Sequence, residues 1–272
     1  MNKISKTEYN NIVALYNSGL SAQKIGDVYS VYASTIRKIL NKCNVQMRDD
    51  SHKYRKYTLN ENYFDVIDDQ NKAYILGLLY ADGCNYTKTN MIKLELQERD
   101  RDILEKINSK LDSNRVLEYI DLHSKNENWQ STYRLTIVNK HMSQTLNDIG
   151  MVPRKSLILE FPTCLEKNLY SHFIRGYIDG DGCIYNGKQK FITCATTKQF
   201  CESIINILQD ELNIHTYYRD IPGKQDSPTK LLYIGGISKI KTFLDYIYED
   251  AELYIQRKYD TYKSFCHEIL YK

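Results

Sequence analysis

Two short stretches hold the acidic residues best placed to do chemistry. In "AYILGLLYADGC" (residues 73–84) an apolar run ends on Asp82 and Gly83, and in "HFIRGYIDGDGC" (172–183) another ends on Asp181 and Gly182. Each run reads as a buried helix, and the glycine straight after it as the stop. A carboxylate in the last turn of a helix opposes the macrodipole, and two such ends facing each other would need a compensating cation. A hard divalent ion with oxygen ligands suits it. One Asp-Gly alone would mark only a turn into the next strand. The same pair at the same point of two similar runs, about a hundred positions apart, points to metal ligation. An EF-hand is excluded. In "DGDGCIYNGKQK" Cys183 and Ile184 replace the required oxygen ligand and glycine, and Lys190 the closing glutamate.

The elements that would position these carboxylates are themselves duplicated. Each half opens with the apolar helix. Strand patterns follow ("NMIKLELQ" and "KQKFITCAT", each with a partner on the motif side of its turn), then a helix ("RDILEKINSKL" and "KQFCESIINILQDEL"). Two more strands come next, "RVLEYIDL" with "QSTYRLTIV" and "IHTYYRDI" with "KLLYIGGI". A last helix closes each half, "KHMSQTLNDIG" and "SKIKTFLDYIYED". Gly77 and Gly176 sit at equivalent points inside the two apolar helices, where glycine costs about 1 kcal/mol relative to alanine. That cost makes sense if two helix backbones must meet there.

Order and motifs together resemble the LAGLIDADG homing endonucleases in their single-chain, two-motif form. The nine-residue motif matches "ILGLLYADG" (75–83) and "IRGYIDGDG" (174–182), and the resemblance covers roughly residues 58–270. The stretch "YTLNENYFDVIDDQNKAY" is similar to the lead-in of members that carry an extra DNA-binding module. The fold this implies is α+β: two pseudo-symmetric αββαββα half-domains with saddle-shaped antiparallel sheets, preceded by a small all-α helix-turn-helix domain. The expected boundaries are 1–46 for that domain, 47–60 for a linker, and 61–160 and 161–272 for the two half-domains.

The resemblance also implies chemistry. The motif helices would cross at Gly77 and Gly176, with Ile75, Leu78, Leu79, Ile174, Tyr177 and Ile178 forming core and interface. Asp82 and Asp181 would then lie side by side and, with the carbonyls of Ala81 and Gly180, bind Mg²⁺ or Mn²⁺ beside the scissile phosphates. Catalytic roles fall on Asp82, Asp181 and Glu98. Glu98 stands at the end of the second strand, where a polar residue arranges water, and the second half offers Ala195 and Thr196 there. Arg99, Lys155 and Lys258 would contact DNA. The outcome would be a staggered double-strand break with 3′ overhangs in a long target, made by a monomer and serving intron or intein mobility. A non-cleaving DNA-binding regulator and an intron RNA maturase are the alternatives on the same scaffold. Tyr119, Tyr133, Tyr217, Tyr218 and Tyr233 are candidates for the DNA-facing side of the strands, although such residues are more often half-buried strand formers.

Ahead of this body lies a basic module. The net charge of +3 divides into +6 up to Lys56 and −3 beyond it. Three helical patterns fall within 6–44, the second starting at the natural N-cap Ser21 and carrying Ile25 and Val28 three apart. The third, "ASTIRKILNKCNV", turns Ile36, Ile39 and Leu40 inward and leaves Ser34, Thr35, Arg37, Lys38 and Lys42 outside. Two short helices and a tight turn resemble a helix-turn-helix, whose outer residues would touch phosphates or base edges. Lys53, Arg55 and Lys56 extend the basic character into the linker. With 42% hydrophobic and 26% charged residues the composition is that of a globular protein. No run reaches the ~20 apolar residues of a membrane span, and the N-terminus lacks an apolar signal core. Seven scattered cysteines without a C-x-x-C pair fit reduced thiols. The expected setting is a bacterial or phage-infected cytoplasm or an organelle, not the secretory route. No zinc cluster, P-loop, dinucleotide fingerprint or Ser-His-Asp arrangement is visible.

Overall fold

Glycine at the middle of each motif helix decides the architecture. In the computed structural model, which describes residues 4–47, 57–223 and 227–270, helices α4 (Gln70–Asp82) and α7 (Tyr170–Asp181) cross at Gly77 and Gly176. A Cβ added to Gly77 would lie 2.0 Å from the carbonyl oxygen of Phe173, and one on Gly176 would lie 2.0 Å from that of Tyr74. Only hydrogen fits between these backbones. Ile75, Leu78, Leu79, Ile174, Tyr177 and Ile178 are all buried around the crossing, as expected.

Each motif helix leads directly into an antiparallel sheet. In the first half β1 (Gly83–Tyr86), β2 (Met91–Gln97), α5 (Arg101–Lys110), β3 (Glu118–Ile120), β4 (Thr132–Val138) and α6 (Lys140–Asp148) follow α4. In the second half β5 (Gly182–Asn186), β6 (Lys190–Thr197), α8 (Lys198–Leu212), β7 (Tyr217–Asp220), β8 (Thr229–Gly235) and α9 (Ile237–Tyr248) follow α7. The sheets have the same order, β1-β2-β4-β3 and β5-β6-β8-β7. Residues 57–272 form one compact unit with a single continuous core, and residues 1–56 form another. The αββαββα order is therefore present twice. A further helix, α10 (Gln256–Leu270), ends the chain. The duplicated pattern does not predict it, because its stretch is mostly polar; among its described side chains Lys258, Tyr262 and Phe265 are buried.

Alternation along the strands sorts the side chains into two faces. Ile92, Leu94, Leu96, Leu135 and Ile137 are buried on the helix-covered face of the first sheet, and Ile192, Cys194, Leu232 and Ile234 on that of the second. Tyr133 pairs with Leu96 and with Tyr119, and Tyr218 pairs with Leu232. These three tyrosines accordingly lie on the helix side. Arg101 of α5 stacks over Tyr133, and Tyr218 Oη donates to Glu202 of α8. Of the five candidate tyrosines, only Tyr217 and Tyr233 belong to the open face.

In the N-terminal unit α1 (Tyr9–Asn17), α2 (Ala22–Val28) and α3 (Ala33–Lys42) bury Ile12, Tyr16, Ile25, Ile36, Ile39 and Leu40. Ser21 caps α2 by accepting from Lys24 N. Val28, the last residue of α2, is exposed. Gly26 permits the tight turn between α2 and α3, since a Cβ there would meet the Val31 carbonyl at 2.5 Å. Ser34, Arg37, Lys38 and Lys42 are exposed on α3, and Thr35 is half-buried. Lys53, Arg55 and Lys56, and most of the expected linker, lie outside the described residues. Residues 57–60 belong to the body: Thr58 N donates to Asn114 Oδ1, and Asn60 N to the Leu111 carbonyl.

Candidate active site

The crossing delivers the last turns of α4 and α7 to the same place. Asp82 and Asp181 are the final residues of their helices, and each following glycine is extended. A Cβ on Gly180 would meet Ala81 Cβ at 2.3 Å and Asp82 Oδ2 at 2.8 Å. The small residues Ala81 and Gly180 thus let the two ends touch, and Asp82 packs directly against the opposing helix. Its carboxyl is pushed up to about 6, first by loss of hydration and then by the charge of Asp181; Lys258, Lys155 and Arg257 oppose the rise. Asp181 is raised too, by desolvation, against the pull of Lys155 and Lys258.

Lys155 and Lys258 do not reach outward. Lys155, in the 3-10 turn after α6, donates through Nζ to the carbonyls of Ala81 (3.2 Å) and Gly83 (2.6 Å). Lys258, in the first turn of α10, donates to the carbonyls of Ile178, Gly180 (3.5 Å) and Gly182 (2.6 Å). Both are buried and both have their pKa lowered by desolvation. Each ammonium satisfies orphan carbonyls at a motif-helix C-terminus and places positive charge at the negative end of the dipole. The expected phosphate contact gives way to this internal role.

Other assignments shift as well. Gly83 pairs with Leu94 and Gly182 with Cys194, so Glu95 in the first half corresponds to Ala195 in the second, and Leu96 to Thr196. Glu98 and Arg99 lie past the end of β2 in a three-residue 3-10 turn (Glu98–Asp100) that the second half lacks, and both are exposed. Glu98 is therefore not the counterpart of Ala195. Thr196 is buried and accepts from Tyr177 Oη at 2.8 Å, whereas Leu96 is apolar.

Two contributors had no signal as site residues. Arg257 of α10 donates to both oxygens of buried Asp100, each at 3.1 Å, linking the second half to the first. Asp179, two residues before Asp181, is fully buried and receives Tyr74 Oη (2.9 Å), Tyr248 Oη and Ile255 N (2.8 Å). Desolvation raises its pKa, and the charge of Lys258 and these donors oppose the rise. The first motif has Tyr80 at this place, donating to the Ile149 carbonyl. An acidic residue in an apolar helix face was the one available hint.

The donor set suits a hard divalent ion: two carboxylates and main-chain oxygens, with Asp181 close enough to raise the pKa of Asp82. Among the described residues no group of three or more His, Cys, Asp or Glu side chains could hold a metal. Asp82 and Asp181, with the carbonyls of Ala81 and Gly180, are the residues that would. One consequence is a pH-dependent stability. Because the folded pKa of Asp82 lies above its unfolded value of 3.8, ionisation favours unfolding. In metal-free buffer the contribution of Asp82 should be fully present below about pH 4 and be lost as pH rises to about 6, by up to about 3 kcal/mol. Mg²⁺ should then raise the melting temperature at pH 8 and hardly at all at pH 4. Calorimetry of the wild type beside Asp82→Asn, with and without Mg²⁺, checks this, and a metal-free gap between the two that does not change between pH 4 and 6 would refute it.

The fold is the LAGLIDADG architecture. Residues 168–248 match the family described as a LAGLIDADG-like domain, so the second half carries that domain. The homing endonuclease I-WcaI bound to its DNA recognition sequence aligns with a TM-score of 0.52 at 14% identity, over 81% of this chain and 96% of that one. The I-LtrWI LAGLIDADG homing endonuclease bound to target DNA gives a TM-score of 0.48 at 14% identity, covering 78% and 92%. Full-length DUF199/WhiA from Thermatoga maritima gives 0.46 at 16%, covering 76% and 64%. The mixed α/β body with two four-stranded antiparallel sheets is thus the LAGLIDADG two-half fold. No curated protein matches the chain in sequence. Among the described residues no helix is long and apolar enough to cross a membrane.

Proposed function

We propose that the chain is a site-specific double-stranded DNA endonuclease that makes a metal-dependent, staggered break. The observation that carries this reading is the convergence of Asp82 and Asp181, one from each half, at a helix crossing that leaves no room for a side chain. A bound Mg²⁺ or Mn²⁺ would supply Lewis acidity at a scissile phosphate and a lowered pKa for the attacking water. The chain's own residues hold that position. Asp82 and Asp181 provide the charge, Ala81 and Gly180 the carbonyls, and Lys155 and Lys258 hold the carbonyls at each helix end. Glu98 and Arg99, exposed at the end of β2, are available to water and to a phosphate. The open faces of the two sheets would lie in the major groove, and one chain with two sites would act as a monomer on a long target. Incubating the protein and Mg²⁺ with a randomised duplex library tests this. Enrichment of sequences cut on both strands is expected, and specific binding without cutting would favour the second reading.

That second reading is a non-cleaving DNA-binding regulator. Two interactions favour it: the Ala81 and Gly180 carbonyls, the proposed main-chain metal ligands, already accept from Lys155 and Lys258.

The N-terminal unit is proposed as a helix-turn-helix that binds DNA flanking the cut, with Ser34, Arg37, Lys38 and Lys42 exposed on α3 for it and Thr35 at its edge. Deleting residues 1–56 should leave the body folded, since that unit has its own core. Target affinity should drop, and the salt dependence should flatten by about 0.9 in slope for each phosphate that the shortened protein no longer neutralises. Footprints and salt titrations of both lengths check it, and identical slopes would assign the module to another partner.

A further inference from the structure

The open faces of the two sheets differ in chemistry. On the first, Glu95 accepts from Thr132 Oγ1 (2.6 Å) and from Arg134 Nε (2.8 Å) and Nη2 (2.6 Å), and Lys93 lies over Tyr86. On the second, an aromatic ladder crosses all four strands. Tyr185 of β5 stacks on Phe191 of β6 at 4.9 Å, Phe191 on Tyr233 of β8 at 6.0 Å, and Tyr233 lies 5.6 Å from Tyr217 of β7. Gly187 and Gly235 make room for it. A Cβ on Gly187 would strike the Tyr185 hydroxyl at 2.5 Å and its ring at 2.6 Å, and one on Gly235 the Tyr233 ring at 2.7 Å. Tyr185 and Tyr217 remain 47% and 54% exposed, a large apolar outlay for a sheet face left to water.

We infer that this ladder reads one half of the DNA target through thymine methyl groups, while the first sheet reads the other half through hydrogen bonds. The inference rests on the DNA-binding reading above and names the chemistry of one half-site. Three features select the occupant. First, the ladder is continuous with the carboxylates: β5 begins at Gly182, directly after Asp181, so a duplex seated there extends over Tyr185 and onward. Its three ring-to-ring steps cover a length of about five base pairs at ~3.4 Å each. Second, the rings stack on one another at interplanar angles of 21° and 24°, and Arg219 caps Tyr233 at 5.2 Å. The faces of the two inner rings, Phe191 and Tyr233, are occupied, which disfavours stacking of splayed bases from a single strand along the ladder. Rims and edges are what remain, and these fit the one apolar group in the major groove, the 5-methyl of thymine. Third, the exposed guanidinium of Arg219 on β7 gives the ladder a positive margin for a phosphate.

The test removes the methyl and nothing else. A target is selected from a random duplex library with the full-length protein. Each thymine is then replaced in turn by deoxyuridine, and binding is measured without divalent ions. Expected is a loss of about fourfold for each contacted methyl, the worth of one buried methylene-sized group, confined to one half of the target. In Phe191→Thr and Tyr233→Thr that sensitivity should vanish while the other half is read as before. If these variants melt early, Tyr217→Thr on the exposed edge strand supplies the same comparison. Insensitivity to uracil, equal sensitivity in both halves, or sensitivity that survives the variants would overturn the inference and leave DNA recognition standing. Preference for a single strand would also overturn it. Absence of any sequence-specific duplex binding would instead remove the DNA reading on which it rests.

Discussion

The double variant Asp82→Asn/Asp181→Asn is expected to abolish DNA cleavage while leaving specific binding intact and making the metal-free protein more heat-stable. The opposing effects share one origin. Both carboxyls are raised because ionisation is unfavourable at that spot, through desolvation at each and, at Asp82, the charge of Asp181. Replacing them with amides removes that cost at neutral pH. The amides keep the size of the side chains, so the fit of Asp82 against Gly180 survives. They also remove both of the proposed anionic metal ligands. Groups that merely support a ligand are worth about 10–100-fold in metal affinity or activity, so the loss should exceed about a hundredfold. Nicking and double-strand cleavage would be followed on the selected target, with melting in chelator at pH 8. Near-wild-type cutting would remove the metal assignment. A lower melting temperature would show that the carboxylates are held by the three nearby cations more than they are strained by each other.

The parts of this site that are legible in the sequence are those carried by residue type. A glycine that costs stability inside a helix, twice, announces the crossing, and an aspartate before a second glycine, twice, announces the site. The illegible parts depend on the backbone or on parity. Lys155 and Lys258 bind main-chain carbonyls, which leave no mark in a sequence, so their matching positions suggest phosphates instead. Glu98 reads as the end of a strand because nothing in "LQERDRD" reveals that the first half inserts a turn before its helix. Tyr217 and Tyr218 cannot both face DNA, because neighbours on a strand point to opposite faces. Asp179 reads as one more letter of the motif, yet it gathers Tyr74, Tyr248 and the start of the segment carrying Arg257 and Lys258.

The crossing itself predicts the largest loss of stability. Gly77→Ala and Gly176→Ala should each destabilise the body markedly, and Gly77→Leu or Gly176→Leu should prevent it from folding. The first Cβ would stand 2.0 Å from a carbonyl oxygen belonging to the opposing helix, so no rotamer change can relieve it. One helix must move. Overpacking of this kind costs about 1–3 kcal/mol or more, and at about 2–4 °C per kcal/mol for a body of this size the melting temperature should fall by roughly 5–10 °C. Alanine is the better helix former, which returns up to about 1 kcal/mol, so any net loss understates the clash. The double alanine variant tells crossing from local effects. Once one Cβ has pushed α4 and α7 apart, the second finds space already made, and the two costs should sum to less than their separate values. Full additivity would mean that the glycines act independently, each within its own helix. An unchanged melting temperature in both single variants would mean that the helices do not meet there at all, and with that the convergence of Asp82 and Asp181 would lose its support.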